Sequence, residues 1–363
     1  MSFSKPTKRQ DTPQTKAVIL KASPSIVGLV THDVPDDMSD IKYAEGTVCK
    51  FVFRGCGIIL DSCLDTSTTT TAATYASTIL APAVLFKRTN DIQPSQVECD
   101  VYVSGGKVYK GQLLVCDFHY NLAAIRIQSD SILKPAIFRA LNDVSSINID
   151  SSDHPQAPFQ LRRHTNLFKV QSGTKIMILH SSFYPSFSVI GDSGVFRSFH
   201  YYRHSCKELY WVDCANIAEK HSGAIINFSG ECLGIMFDNS SFLPSNFIPR
   251  WWNNYTTKGE LCRPWVGVEI SNLSDSRLSF LEEIRNTFSD LGTGVVVTKV
   301  EKDSPAYSSG LQLKDVIVKC DVKEVESKIE FFERIWDSAG NSVKLTILRA
   351  TDRQPLELHL SIG

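Results

Sequence analysis

The sequence predicts a mainly β protein that ends in a small α+β domain. Apolar runs of strand length recur along the chain, turn residues separate them, and the C-terminal part mixes strand patterns with two helical ones. The runs fall at Val48–Phe53, Gly57–Leu60, Val97–Val103, Gln112–Cys116, Leu122–Ile127, Lys175–Leu179 and Leu209–Asp213, followed by a hairpin at Ser222–Phe237. Ser104-Gly105-Gly106, Asp117 and Ser172-Gly173 mark turns between them. This is the pattern of a barrel or sandwich and not of a βαβ sheet. Residues 1–22 read as a disordered polar tail, and the Thr-rich stretch Asp65–Ala73 as an exposed loop. The polar segment Asp143–His154 reads as a link between two halves of the β-rich region.

The C-terminal domain follows from its own residues. Gly294–Val300 alternates as a strand. Ser304-Pro305-Ala306 opens a short helix with serine at the N-cap and proline in the first turn, and Gly310 ends it. Ile329, Phe332, Ile335 and Trp336 recur at helical spacing within Ser327–Ala339, closed by Gly340. Val343, Leu345 and Ile347, then Leu356, Leu358 and Leu360, alternate in a final hairpin.

Length and composition bound the setting. A chain of 363 residues predicts two domains, or three if the β-rich part is itself double. With 38 basic and 39 acidic residues, net charge implies no nucleic-acid partner. The apolar runs are too short for a membrane span. The N-terminal MSFSKPTKRQDTPQTK has no apolar core, so a cytoplasmic or nuclear location is expected. The ten cysteines form no C-x-x-C pair and read as reduced thiols. His200, His204 and Cys206 have metal-like spacing but no evident fourth ligand, so neither a metal nor a cofactor is expected.

The chemistry-bearing candidate is Ser222. It stands with Gly223 before an apolar strand, Ala224–Asn227, a turn at Phe228–Gly230 and a second strand, Cys232–Phe237. A serine there needs an adjacent base to become a nucleophile. His221 is its neighbour in sequence, where side chains diverge. His119 would share a face with Asn121 if that stretch were extended. The string Gly191–Gly194, GDSG, resembles a nucleophile signature but sits in Phe187–Phe199, which reads as turn plus strand.

The Ser222 hairpin resembles the nucleophile segment of the HtrA/DegP branch of trypsin-fold proteases, N-x-G-N-S-G-G-P-L-x-N-x-x-G-x-x-x-G-I. Ser222, Gly223, Asn227, Gly230, Gly234 and Ile235 match it, whereas Lys220, His221 and Ala224-Ile225 depart from it. The resemblance covers roughly residues 24–362. Arg54–Asp61 is similar to the family's G-S-G-F-I-I-D, and Ile79–Phe86 to its I-L-T-N-A-H-V-V, whose histidine is the general base. Asp117–Ile127 is similar to D-x-x-x-D-L-A-L-L-K-I, whose second aspartate orients that histidine. On this register the histidine position is Val84 and the aspartate position is Asn121. Neither replacement can do the original work, and loss of the base alone costs on the order of 10⁶ in turnover.

The C-terminal order resembles HtrA-type PDZ modules, with Arg263-Pro264-Trp265 as the entry and Lys314 where the family has glycine. The resemblance therefore implies a chymotrypsin/trypsin-like double β-barrel followed by a PDZ domain. It divides the chain into a protease-like domain at 23–250, a linker at 251–264 and the PDZ domain at 265–363. It implies an oxyanion hole from the Lys220 and Ser222 backbone. Trp265, Val266, Gly267 and Val268 would form the carboxylate loop, with Phe332 and Ile335 on the opposite wall. A non-proteolytic protein binding peptides or protein C-termini is the leading expectation. The alternatives are a serine endopeptidase using Ser222 with a nonstandard base, and an inactive subunit of a homo- or hetero-trimer with Deg-like subunits. Packing is the expected role of Trp251, Trp252 and Trp265.

Overall fold

The computed structural model describes residues 13–32, 52–66, 73–87, 93–144, 167–183, 186–198, 206–214, 222–237 and 240–363. The first element corrects an expectation. Part of the supposed polar tail is a helix, α1 (Pro13–Ala22), with Val18 and Ala22 buried. It is anchored because Lys21 Nζ donates to the Ser229 carbonyl at 2.7 Å, while Ile19 lies over the bare Cα of Gly191.

The first barrel contains β1 (Ile26–His32), β2 (Val52–Leu64), β3 (Tyr75–Pro82), β4 (Glu98–Tyr102), β5 (Val108–Asp117) and β6 (Leu122–Ser129). It closes in the order β1-β2-β3-β6-β5-β4, because β1 pairs with both β2 and β4. Closure leaves no open sheet edge. Leu29, Ile59, Ile79, Val101 and Ile125 fill its interior at 0% exposure. Each such side chain stabilises the fold by roughly 1.5–3 kcal/mol.

Two short strands, β7 (Leu141–Asn142) and β8 (Phe168–Lys169), pair in parallel. The second barrel follows, from β9 (Lys175–Ser182), β10 (Ser188–Arg197), β11 (Tyr210–Cys214), β12 (Ser222–Ile226), β13 (Cys232–Phe237) and β14 (Ser241–Pro244). Its closed order is β10-β11-β14-β13-β12-β9. The β12–β13 turn is written in the sequence. Asn227 Oδ1 accepts from the amides of Ser229 and Glu231, and Gly230 supplies the required positive φ of 80°.

Helix α2 (Ile248–Lys258) then runs through residues expected to be linker, because Trp251 is a core residue at 1% exposure. The C-terminal sheet holds β15 (Val268–Asn272), β16 (Val295–Val300), β17 (Val316–Cys320), β18 (Lys323–Glu324), β19 (Ser342–Leu348) and β20 (Leu356–Ser361). The strands run β15-β16-β17-β19-β20, with β18 beside β17. Three helices accompany them: α3 (Leu278–Thr287), α4 (Pro305–Ser308) and α5 (Lys328–Asp337). Ser304 and Ser327 cap α4 and α5 through their hydroxyls, as their positions predict. Helix α3 was not foreseen. Lys314, at the family's glycine position, adopts φ 72°, so the turn keeps its left-handed shape without glycine.

The chain falls into two compact units. One comprises Met1–Phe138, Lys175–Gly194 and Cys214–Ser240; the other comprises Arg139–Thr174, Val195–Asp213 and Ser241–Gly363. Among the described residues no helix is long and apolar enough to cross a membrane.

Candidate functional sites

Ser222 opens β12, buried at 5% exposure. Its Oγ accepts a hydrogen bond from the Cys56 amide at 2.8 Å. Gly55 makes room for this contact: a Cβ there would lie 2.6 Å from Leu85 Cδ1 and 3.2 Å from Ser222 Oγ. The Gly55 carbonyl is held from the other side by Ser181 Oγ at 2.8 Å. Gly223 is equally constrained, since a Cβ would meet the Leu179 carbonyl oxygen at 2.5 Å. The serine is thus fixed by β2, β9 and β12 together. Cys56 offers no base, because burial pushes its thiol up to about 12.

Val84 and Asn121, which the sequence resemblance assigns to the histidine and aspartate positions, are joined to each other. Val84 lies in a 3₁₀ turn, Ala83–Phe86, and is 48% exposed. Its amide donates to Asn121 Oδ1 at 2.8 Å, while the Ala83 amide donates to the Asn121 carbonyl at 3.0 Å. Asn121 has φ 49°, a conformation asparagine tolerates better than most residues. These two bonds staple the Ala83–Val84 backbone to Asn121. Valine has no proton-accepting atom to put beside Ser222.

The His119 expectation fails on geometry. Residues 118–121 form a turn, so His119 and Asn121 do not alternate on an extended strand. The His119 amide instead donates to Asp117 Oδ1 at 2.9 Å. The GDSG string lies inside β10, and its Asp192 faces His180 Nε2 at 3.1 Å, a pair the sequence did not reveal. Lys220 and His221, like His200 and His204, lie outside the described residues. Cys206 is described: its thiol donates to Glu208 Oε2 at 3.3 Å, and burial raises its pKa well above the usual value.

In the C-terminal domain Gly267 has φ 69°, and a Cβ there would fall 2.2 Å from Ser304 Cβ. The loop is pinned by the Glu301 amide on the Gly267 carbonyl and the Ala306 amide on the Val266 carbonyl, both at 2.9 Å. Trp265 is 51% exposed, contrary to the packing role expected of it; its backbone exchanges hydrogen bonds with Gly363. Strand β15 ends its sheet, and α5 packs against it.

Val266, Val268, Phe332 and Ile335 are all buried. Other residues of the same unit meet β15 and the start of α5. Asn272 Nδ2 donates to Asp143 Oδ2 at 2.8 Å, Tyr210 OH donates to that same oxygen, and Lys207 pairs with Glu269. Lys328, the first residue of α5, donates from Nζ to the Leu209 carbonyl at 3.1 Å and lies 4.8 Å from the Tyr210 ring centre. Burial holds its amino group down at about 8. On another side, Glu333 and Asp337 of α5 accept from Arg250 of α2. A cavity of about 740 Å³ remains, bordered by Tyr210, Ile270, Asn272, Phe280 and Lys328.

Comparisons agree with this architecture. The PDZ domain family model matches residues 264–360. Over 162 residues, 41% of this chain, the sequence is 29% identical to the serine protease Do-like HtrB of Bacillus subtilis (strain 168). A second relative, the serine protease HtrA-like of Staphylococcus aureus (strain MRSA252), is 26% identical over 162 residues, 42% of this chain. The chain spans only 35% and 21% of these two proteins' lengths. In structure it is similar to the HtrA-type protease AlgW with tripeptide, with a TM-score of 0.54 at 17% identity, covering 96% of each chain. Two six-stranded barrels, a serine at the head of β12 and a C-terminal PDZ domain define a trypsin-fold protein of the protease–PDZ class. In sequence and in fold the chain is similar to HtrA- and Do-like serine proteases.

Proposed function

We propose that this protein is a non-proteolytic member of its family that binds extended peptides or protein C-termini through the PDZ module, with the barrels as scaffold. The observation that carries the reading is the staple between Val84 and Asn121, the two residues that the sequence resemblance assigns to activating Ser222. Positioning alone leaves a serine hydroxyl a poor nucleophile. The PDZ match, the end-strand position of β15 and the tight Gly267 loop support recognition by strand addition. Trp265 and Gly267 would act at the carboxylate end, with Phe332 and Ile335 as the wall.

The retained Ser222-Gly223 pair on its hairpin favours a second reading, an endopeptidase with a nonstandard base. In a third reading the chain is an inactive subunit assembled with Deg-like partners. A reducing compartment such as the cytoplasm or nucleus is part of this reading, since the ten cysteines form no C-x-x-C pair. The test is digestion of unfolded casein by the purified full chain, beside Ser222→Ala and beside titration with immobilised C-terminal peptides. Peptide capture without cleavage agrees with the proposal; cleavage that vanishes in Ser222→Ala contradicts it.

A further inference from the structure

We infer that the cavity bordered by α3, β15 and β16 binds a small amphiphile of single negative charge, with its apolar body against Phe280 and Leu313 and its anionic head at Arg277. The inference is independent of the peptide-binding reading, and either can fail alone.

Helix α3 is planted on the sheet by Phe280 and Ile284, which share a core with Val296, Val316 and Leu348. Beside that contact a cavity of about 740 Å³ remains, along the first two turns of the helix. Ligand sites typically enclose about 300–1,000 Å³, so a small molecule fits. The lining residues all belong to one compact unit. Ile270 of β15 and Val296 of β16 supply apolar walls. Leu313 also lines the cavity, yet it is 64% exposed. A ligand body laid over it removes that apolar surface from water, which favours binding.

Charge decides the head group. Five charged side chains line the cavity: Asp275, Arg277, Glu283, Lys314 and Lys328. Four of them are engaged. Glu283 pairs with Lys314 at 3.3 Å, and Lys314 Nζ lies 5.8 Å from the Phe280 ring centre. Asp275 accepts from the Ser198 hydroxyl at 2.9 Å, and Lys328 donates to the Leu209 carbonyl at 3.1 Å. Arg277 is exposed and makes no ion pair or side-chain hydrogen bond among the described residues. Three basic residues against two acidic ones leave a surplus of one positive charge, and Arg277 is the charged side chain without a partner. A guanidinium holds a carboxylate or sulfonate through two parallel N–H bonds, a geometry no cationic or neutral head can use. Ser276 and Ser279, which flank Arg277 in the chain and line the same cavity, add hydroxyl donors for that head.

The experiment is fluorescence titration of the full chain with two probes that share one ring system, anionic anilinonaphthalene sulfonate and neutral phenylnaphthylamine. The wild type is expected to bind the sulfonate about tenfold more tightly than the neutral probe. Arg277→Gln is expected to weaken the sulfonate by about tenfold and leave the neutral probe unchanged. Leu313→Ser is expected to weaken both probes by about threefold or more. Both substituted side chains are exposed, so neither change empties the core, and circular dichroism confirms that each variant folds. Arg353→Gln, at an exposed arginine outside the lining, measures general attraction of the anion and should change neither probe. Equal binding of the two probes by wild type and Arg277→Gln overturns the inference, and so does an equal loss in Arg353→Gln. Binding unchanged in Leu313→Ser, or no binding of either probe to the folded chain, overturns it as well. None of these outcomes touches peptide capture, which the immobilised C-terminal peptides read separately.

Discussion

The Val84 amide donates to Asn121 Oδ1 at 2.8 Å, joining the two positions that the sequence resemblance assigns to the general base and its orienter. Asn121 therefore has a structural task that aspartate could also perform. Replacing Asn121 with alanine removes the acceptor and leaves a Cβ residue at φ 49°. We expect a loss of about 1–3 kcal/mol in urea unfolding, combining the hydrogen bond and the left-handed strain. Asn121→Gly, relieved of the strain, should lose less.

Ser222 contributes to stability independently of any chemistry. In Ser222→Ala the Cys56 amide loses its buried acceptor. The expected cost is about 1–3 kcal/mol, read as a lower urea midpoint with an unchanged slope. A variant as stable as wild type would mean that water or another group replaces the hydroxyl.

Gly267→Ala should destabilise the C-terminal domain by at least about 2 kcal/mol, because it adds strain at φ 69° to a 2.2 Å approach to Ser304 Cβ. Thermal melting checks this, and Gly105→Ala is the comparison: φ there is also positive, at 99°, but a Cβ would meet nothing within 4 Å.

Alkaline pH should weaken the fold. Burial raises the thiols of Cys56, Cys99, Cys116 and Cys232 to about 12. Unfolded thiols ionise near about 8.5, so above that pH the native state binds more protons than the unfolded one. Stability is then fully present below about pH 8.5 and falls progressively towards 12. Urea midpoints measured from pH 7 to 10.5 should decline.

Lys328 has the opposite sign. Its folded amino group is held down at about 8, whereas an unfolded lysine titrates near about 10.4. Between these values the unfolded state binds the extra proton, so this group's contribution to stability rises with pH. The difference between wild type and Lys328→Met should move in favour of wild type from pH 8 to 10.4. A difference independent of pH would show that Lys328 is solvated.

The sequence made the serine hairpin legible because its signals are local. Asn227 and Gly230 encode the turn. The capped helices α4 and α5 were legible for the same reason. The His119 reading failed because one left-handed residue, Asn121, turned an apparent strand into a turn. The contacts of Asp143 with Asn272 and of Tyr210 with Lys328 were invisible because the partners are distant in sequence and meet only through the fold. Lys328 itself looked like an ordinary charged residue in a first helical turn. The donor to Ser222 left no signal either, since it is the backbone amide of Cys56.

The most direct test is covalent labelling of the folded full chain with a fluorophosphonate probe, beside Ser222→Ala and a urea-unfolded control. The account predicts no stoichiometric labelling of the folded wild-type protein. Stoichiometric labelling that requires both Ser222 and the fold would contradict it, because a serine without a base should not react.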